Sequence, residues 1–256
     1  MAKIAMAAAA HPDDIEFTMS GTLMLLGEAG YELHYMNIGN GSCGTAVHDH
    51  DEIVRIRTGE AQAAAESIGA KFHRPFVDDI EILYEQPLIR KLCAVVREVQ
   101  PQILLLPSPQ DYMEDHMTAS RVMMTAAFCR NMRNYICDPP MPPAENEMCL
   151  YHAMPYRLRD QLRNPICPDF LVDITAVMDA KRDMLACHRS QRQWLDSSQG
   201  VDNYMRMMEE MSAEVGQMSG RFAFAEGWRT HSHMGFGPED FDPLHEALSG
   251  FISSSC

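Results

Sequence analysis

The sequence predicts an α/β fold, a Rossmann-like open, mainly parallel sheet with helices on both faces. Three observations predict it. Short apolar runs alternate with helix-period segments through the first half of the chain, the signature of βα units. The runs "IAMAAAA" and "ILLLP" are apolar at consecutive positions, as strands covered on both faces are. Polar clusters rich in His and Asp follow those two runs directly, where the carboxyl ends of parallel strands deliver ligand-binding side chains.

In chain order, "KIAMAAAA" is the first strand, followed by a helix from about Glu16 to Ala29 and the strand "ELHYMNI". "DEIVRIRTGEAQAAAESIG" is a helix, "KFHRPF" a strand, and "PLIRKLCAVVREV", apolar at spacings of three and four, another helix. Strand "ILLLP" and a helix from about Asp115 to Asn131 complete this half. The proline- and acid-rich "DPPMPPAENE", Asp138 to Glu147, is a surface loop or hinge. Beyond it, "MCLYHAM" and "DFLVDI" are strands and Thr175 to Gln191 is a helix ending in "HRSQ". The Met-rich "NYMRMMEEMSAEVGQM" is a helix whose methionines serve packing. With no internal repeat, residues 1–256 are expected to form one domain, with 138–256 adding strands, helices and a C-terminal segment over the pocket.

Composition excludes several function classes. The chain has 256 residues, 46% hydrophobic and 22% charged, and a net charge of -15 from 21 basic and 36 acidic residues. Such a surface repels polyanions, which argues against nucleic acid and anionic membrane as partners. The eight cysteines are scattered without a CxxC pair and read as reduced thiols of a cytoplasmic protein. "MAKIAMAAAA" imitates a short signal peptide, but cleavage there would leave "HPDD" dangling, so it is read as a strand. No stretch approaches the ~18 consecutive apolar residues of a membrane span.

The chemistry concentrates at two strand ends. In "HPDD", His11 and Asp14 are three residues apart and can address one centre, while Asp13 points elsewhere. A hydrolytic zinc site takes three protein ligands and keeps one position for water. The third candidate is His116 of "QDYMEDHMTAS", just after "ILLLP". A lone histidine is usually a satisfied surface or core residue, and Asp commonly caps a helix. Three ligand types at two strand ends favour a metal centre instead. Asp13 is then free to act as general base, its plainer role being an N-cap.

"GNGSCG" spells G-x-G-x-x-G at Gly39, Gly41 and Gly44, yet "TAVHDH" intervenes before any helix and the next strand ends only near Phe76. A dinucleotide site requires the helix at once and an acid at the following strand end. The segment is read as a pocket loop, and Cys43 as a plain loop cysteine.

"AHPDDIEFTMSGTL", "RTGEAQAAAESIGA", "PQILLLPSPQDYMEDHMTAS" and "DFLVDITAVMDAKRDMLACHRSQ" resemble, in order, blocks of the LmbE-like or PIG-L family of zinc-dependent N-deacetylases. The resemblance runs from about residue 3 to at least Gln191. It implies His11, Asp14 and His116 as zinc ligands, Asp13 as general base, and Arg57 and Asp79 as substrate-binding residues. Asp115 is read as accepting a hydrogen bond from a ligand or base.

One departure stands out. Many relatives read H-x-D-H at the third-ligand block, the first histidine serving as oxyanion or acid donor, whereas this chain has Met113, Glu114, Asp115, His116. A thioether cannot donate a proton. His231 and His233 of "EGWRTHSHMGF" are the candidate replacements, with His48 and His50 of "AVHDHDE" as a second pair.

The expectation is therefore a cytoplasmic metal-dependent hydrolase removing acetyl from an N-acetylglucosamine-like sugar or conjugate, with Zn2+ as cofactor and Fe2+ or Mn2+ as alternatives. Family analogy adds a homo-oligomer. The rival readings are an amidase on a thiol conjugate or other non-sugar amide, a weak or inactive metal- or sugar-binding homologue, and a nucleotide-dependent oxidoreductase using "GNGSCG".

Overall fold

The computed structural model describes residues 3–199 and 203–254. Strands β1 (Ile4–Ala9), β2 (Glu32–Asn37), β3 (Lys71–His73), β4 (Ile103–Leu106) and β5 (Cys149–Ala153) run parallel. Strands β6 (Phe170–Asp173), β7 (Ala225–Thr230) and β8 (Ile252–Ser254) complete the sheet through antiparallel pairings, in the order β3-β2-β1-β4-β5-β7-β6-β8. The helices are α1 (Asp14–Thr18), α2 (Ser20–Glu28), α3 (His50–Ser67), α4 (Gln86–Val99), α5 (Glu114–Phe128), α6 (Met178–Leu185), α7 (Arg189–Gln199), α8 (Asn203–Met218) and α9 (Pro243–Ala247).

The first strand explains the two-sided core. Its residues alternate between faces. Ala5, Ala7 and Ala9 join the apolar layer of α1, α2, α3, α6 and α8, while Met6, Ala8 and Ala10 join the layer of α4 and α5. The fold class is the expected one, with an antiparallel flank beside the parallel half. Both halves of the chain contribute strands to this one sheet.

Several boundaries shift for physical reasons. The helix expected from Glu16 to Ala29 breaks at Met19, whose φ of -136° is not helical. The carboxylate of Glu226 accepts from Gly21 N at 2.9 Å and Thr22 N at 2.7 Å, capping α2 from β7. Lys181 Nζ meets the same carboxylate at 2.5 Å, both side chains fully buried. The helix expected over Thr175–Gln191 likewise divides into α6 and α7 around Ala186–His188.

The expected C-terminal cover over the pocket needs correction. "AEGWRT" is β7, inserted between β5 and β6, with Trp228 fully buried and its Nε1 donating to Thr22 Oγ1 at 3.0 Å. A strand paired on both sides cannot fold over a site. The pocket walls come instead from the 154–163 segment, α7 and α8.

The topology sets the site. The chain moves from β1 outward to β2 and β3, then returns to β4 on the other side of β1. The carboxyl ends of β1 and β4 thus flank the switch point, where open α/β sheets bind ligands.

Candidate active site

"HPDD" leaves β1 through a tight turn. Asn37 Nδ2 donates to His11 O at 2.6 Å, and His11 N donates to Asp14 Oδ2 at 2.7 Å. Asp13 adopts φ 98°, a left-handed conformation costly for a residue with a Cβ, and its side chain makes no cap hydrogen bond. The turn holds Asp13 toward the cavity instead.

His116, in the first turn of α5 after β4, meets this corner. Ligand atoms of His11, Asp14 and His116 lie within 4.8 Å of one another. His116 Nε2 is 3.3 Å from Asp14 Oδ1 and His11 Nδ1 is 3.6 Å from Asp14 Oδ2. The outward ring nitrogens are held by acids: His11 Nε2 donates to Asp115 Oδ2 at 2.8 Å and His116 Nδ1 to Asp111 Oδ1 at 2.9 Å. With the outer nitrogens donating to acids, His11 Nδ1 and His116 Nε2 face Asp14 and would offer lone pairs to an ion that takes the place of their protons.

The electrostatics calls for a cation here. Burial opposes a charge on His11, but its hydrogen bonds to Asp115 and Asp14 and the charges of Asp14 and Asp79 outweigh this and raise its pKa to about 9. Burial likewise opposes a charge on His116, yet Asp14 and Asp111 lift its pKa well above the ordinary value. Burial would raise Asp14, but the charges and hydrogen bonds of His116 and His11 hold it well below the carboxylate range. Two neutral imidazoles and one carboxylate with acid-held outer nitrogens are a donor set that fits Zn2+ or a similar divalent ion.

Asp13 stands beside this centre. Burial pushes its pKa up and Asp14 adds to the effect, while Arg57, His188 and the Tyr204 hydroxyl pull it down, leaving it at about 6. Tyr204 Oη donates to Asp13 Oδ2 at 2.7 Å, and Arg57 Nη2 lies 3.8 Å from Oδ1.

Arg57 is 2% exposed and faces the cavity rather than pairing with Glu52 or Glu60. Its Nη2 donates to Pro12 O at 2.6 Å, Nη1 reaches Gly41 O at 3.5 Å, and Nε has no partner among the described residues. Gly41, at φ 82°, passes so close that a Cβ there would meet Arg57 Cδ at 2.6 Å. The glycines of "GNGSCG" therefore admit a protein arginine. Asp79 lies in the pocket wall, its carboxylate accepting from Gly41 N at 2.7 Å and Cys43 N at 3.0 Å.

The other candidates sit elsewhere. His231 Nδ1 is 3.0 Å from Nε2 of His152 in β5, and neither His231 nor His233 lines the cavity, because both follow directly from β7. They are not positioned to replace the donor missing at Met113. His48 pairs with Glu52 at 3.0 Å and His50 with Asp78 at 2.8 Å, also outside the cavity. Met113 itself lines it.

Sequence reading missed Asp111 and Tyr204. Asp111 lay inside a motif already singled out, an acid within reach of a candidate ligand. Tyr204 carried no signal, since only the packing of α8 brings it to Asp13. The cavity enclosed by these groups has a volume of ≈ 840 Å³ and an aromatic wall that includes Phe17, Tyr112, Tyr156 and Trp194.

Fold and site define an α/β protein with a His–Asp–His centre of metal-binding type at the sheet's switch point. Residues 6–127 match the model of the PIG-L family, GlcNAc-PI de-N-acetylase. It is 27% identical over 226 residues to diacetylchitobiose deacetylase of Thermococcus kodakarensis, covering 86% of this chain and 79% of that protein. It is 26% identical over 206 residues to 4-oxalmesaconate hydratase of Pseudomonas putida, covering 74% of each. Among solved structures, N,N'-diacetylchitobiose deacetylase from Pyrococcus horikoshii superposes with a TM-score of 0.75 at 21% identity, covering 95% of this chain and 89% of that one. GalB, the 4-carboxy-2-hydroxymuconate hydratase of P. putida KT2440, gives 0.73 at 25% identity, covering 90% and 96%. Among the described residues, no helix is long and apolar enough to cross a membrane.

Proposed function

We propose that the chain is a metal-dependent hydrolase that removes an acetyl group from an N-acetylglucosamine-like sugar or conjugate. The observation that carries this reading is the convergence of His11, Asp14 and His116 with Asp13 beside them in one cavity. The family and the deacetylase relatives support the same chemistry. His11, Asp14 and His116 would hold Zn2+, with Fe2+ or Mn2+ as alternatives, and the bound ion supplies Lewis acidity at that point.

The protein's own groups do the rest. Tyr204 occupies Asp13 Oδ2, so Oδ1 takes the proton from the attacking water. Arg57 keeps Asp13 from full neutralisation, and the same carboxyl can return the proton to the departing amine. Asp111 and Asp115 fix the two imidazoles. The aromatic wall offers flat faces to a sugar ring.

The test uses zinc-loaded protein and a panel of N-acetylglucosamine conjugates. The parent should release amine, Asp13→Ala should keep zinc but lose turnover, and His116→Ala should lose zinc. Zinc binding without amine release from any member would overturn the assignment. We further propose a cytoplasmic homo-oligomer with no nucleic-acid partner, as the charge and the family analogy suggest.

A second reading is favoured by Met113 and by the hydratase relatives, which match this chain about as well as the deacetylase does. With no imidazole at 113 to protonate an amine, the same centre would serve water addition to an unsaturated acid. Loss of conjugated absorbance from such an acid, in place of amine release, would select it.

A further inference from the structure

A strained loop at the cavity mouth carries three arginines in seven residues, Arg157, Arg159 and Arg163, in a chain whose net charge is -15. All three side chains are exposed, all three line the cavity, and none is ion-paired among the described residues. The loop's one acid, Asp160, is committed to the turn, accepting from Leu162 N and Asn164 N at 2.8 Å and from Asn164 Nδ2 at 2.9 Å.

The backbone enforces this display. Arg157, Leu158 and Arg163 have φ of 56°, 55° and 67°, left-handed values that side-chain-bearing residues rarely take. Leu158 is buried as an anchor and its carbonyl accepts from Ile166 N at 2.9 Å, while Arg157 and Arg159 on either side of it stay in the cavity wall. Arg159 Nη1 donates to Arg163 O at 3.0 Å, tying the two ends of the segment. Strain of this kind collects at ligand clamps.

The same cavity is lined by Asp13, Asp14, Asp79 and Asp111 around the His–Asp–His centre, and Tyr156 N, next to Arg157, donates to Asp111 Oδ2 at 3.2 Å. The carboxylates are committed to the centre and its supporting hydrogen bonds, which leaves the three guanidinium groups as the cationic side chains on the cavity's exposed rim that attract an anionic group. Planar guanidinium groups suit the bidentate recognition of carboxylate and phosphate.

We propose that Arg157, Arg159 and Arg163 form a subsite for a carboxylate or phosphate borne by the substrate. The inference rests on the cavity being the active site, and it narrows the substrate class from N-acetylated sugars in general to anionic ones. It applies equally to an unsaturated polycarboxylate.

The test is calorimetric titration of metal-loaded protein with matched probes: N-acetylglucosamine against its 6-phosphate and against N-acetylmuramic acid, and tricarballylate against its trimethyl ester. Parent, the triple variant R157Q/R159Q/R163Q and its triple-lysine counterpart are compared, with the single variant Arg157→Gln guarding against loss of fold in the triple. At least one anionic probe should bind the parent tenfold or more tightly than its neutral partner. The glutamine triple should lose that preference without weakening the neutral probe, the lysine triple should keep most of it, and Arg157→Gln should show part of the loss. The anionic probe that responds separates a phosphate from a carboxylate ligand. Equal binding of anionic and neutral probes by the parent, or a preference that survives the glutamine triple, overturns the subsite. Amine release measured alongside keeps the two readings apart. Turnover of neutral sugar without an anion preference overturns the subsite alone, and an arginine-dependent preference without amine release overturns the hydrolase assignment alone.

Discussion

Tyr204 donates its hydroxyl hydrogen to Asp13 Oδ2 at 2.7 Å, joining α8 to the turn after β1 across 191 residues. The bond orients the carboxylate of the proposed base, while Phe17 packs edge-on against the Tyr204 ring at 5.3 Å. Tyr204→Phe keeps the ring and removes only the donor. A hydrogen bond to a charged group is worth roughly 1.5–3 kcal/mol, so turnover should fall about 10- to 100-fold with zinc content unchanged. Steady-state kinetics and metal analysis of the same preparation check this, and zinc loss in the variant would show the role to be structural instead.

Asp111 fixes His116 through Nδ1, and its other oxygen accepts from Tyr156 N at 3.2 Å. Asp111→Asn weakens the acceptor without changing its size. Groups that orient a metal-bound imidazole typically change metal affinity about 10- to 100-fold, and zinc affinity should fall by that amount in a competition titration. An unchanged affinity would mean that the imidazole needs no such support.

The convergence of His11, Asp14 and His116 could be read from sequence because each half follows an unambiguous buried strand. That β1 and β4 are neighbours follows from the switch in strand order, which the alternating pattern suggested but did not fix. The antiparallel flank was less legible. "AEGWRT" lies far from its partners in sequence, and its Glu226 and Arg229 disguise a strand that is buried because those groups are bonded internally. His231 and His233, which follow this strand, lie outside the cavity for the same reason. The Met-rich helix hid Tyr204 because its register against α1 is decided by tertiary packing, while Met208 and Met211 do serve the packing expected of them.

Lys181 and Glu226 form a fully buried ion pair that also caps α2. Removing one partner of such a pair leaves an uncompensated charge, at a cost of about 3–5 kcal/mol. Lys181→Met should lower the unfolding free energy by that amount, and Lys181→Met with Glu226→Gln should recover part of it. Denaturant titration of the three proteins decides it, and a Lys181→Met variant as stable as the parent would contradict the role assigned to the pair.

His73 contributes a pH dependence of stability. Burial, together with the charges of His34 and Lys71, lowers its pKa from 6.5 to about 4. The unfolded chain therefore binds the proton first, so this contribution is complete above pH 6.5 and is lost as pH falls toward 4. His73→Gln should make the decline in stability over that range shallower. Denaturant midpoints at pH 7 and pH 5 for both proteins supply the comparison, and equal declines would rule His73 out as a source.

The most direct test of the proposed chemistry is amine release per bound zinc by Asp13→Asn beside the parent. A general base contributes about 10²- to 10⁴-fold. Equal zinc content with turnover reduced by that factor is the expected result. A variant that turns over as fast as the parent would remove Asp13, and with it the proposed mechanism, from this site.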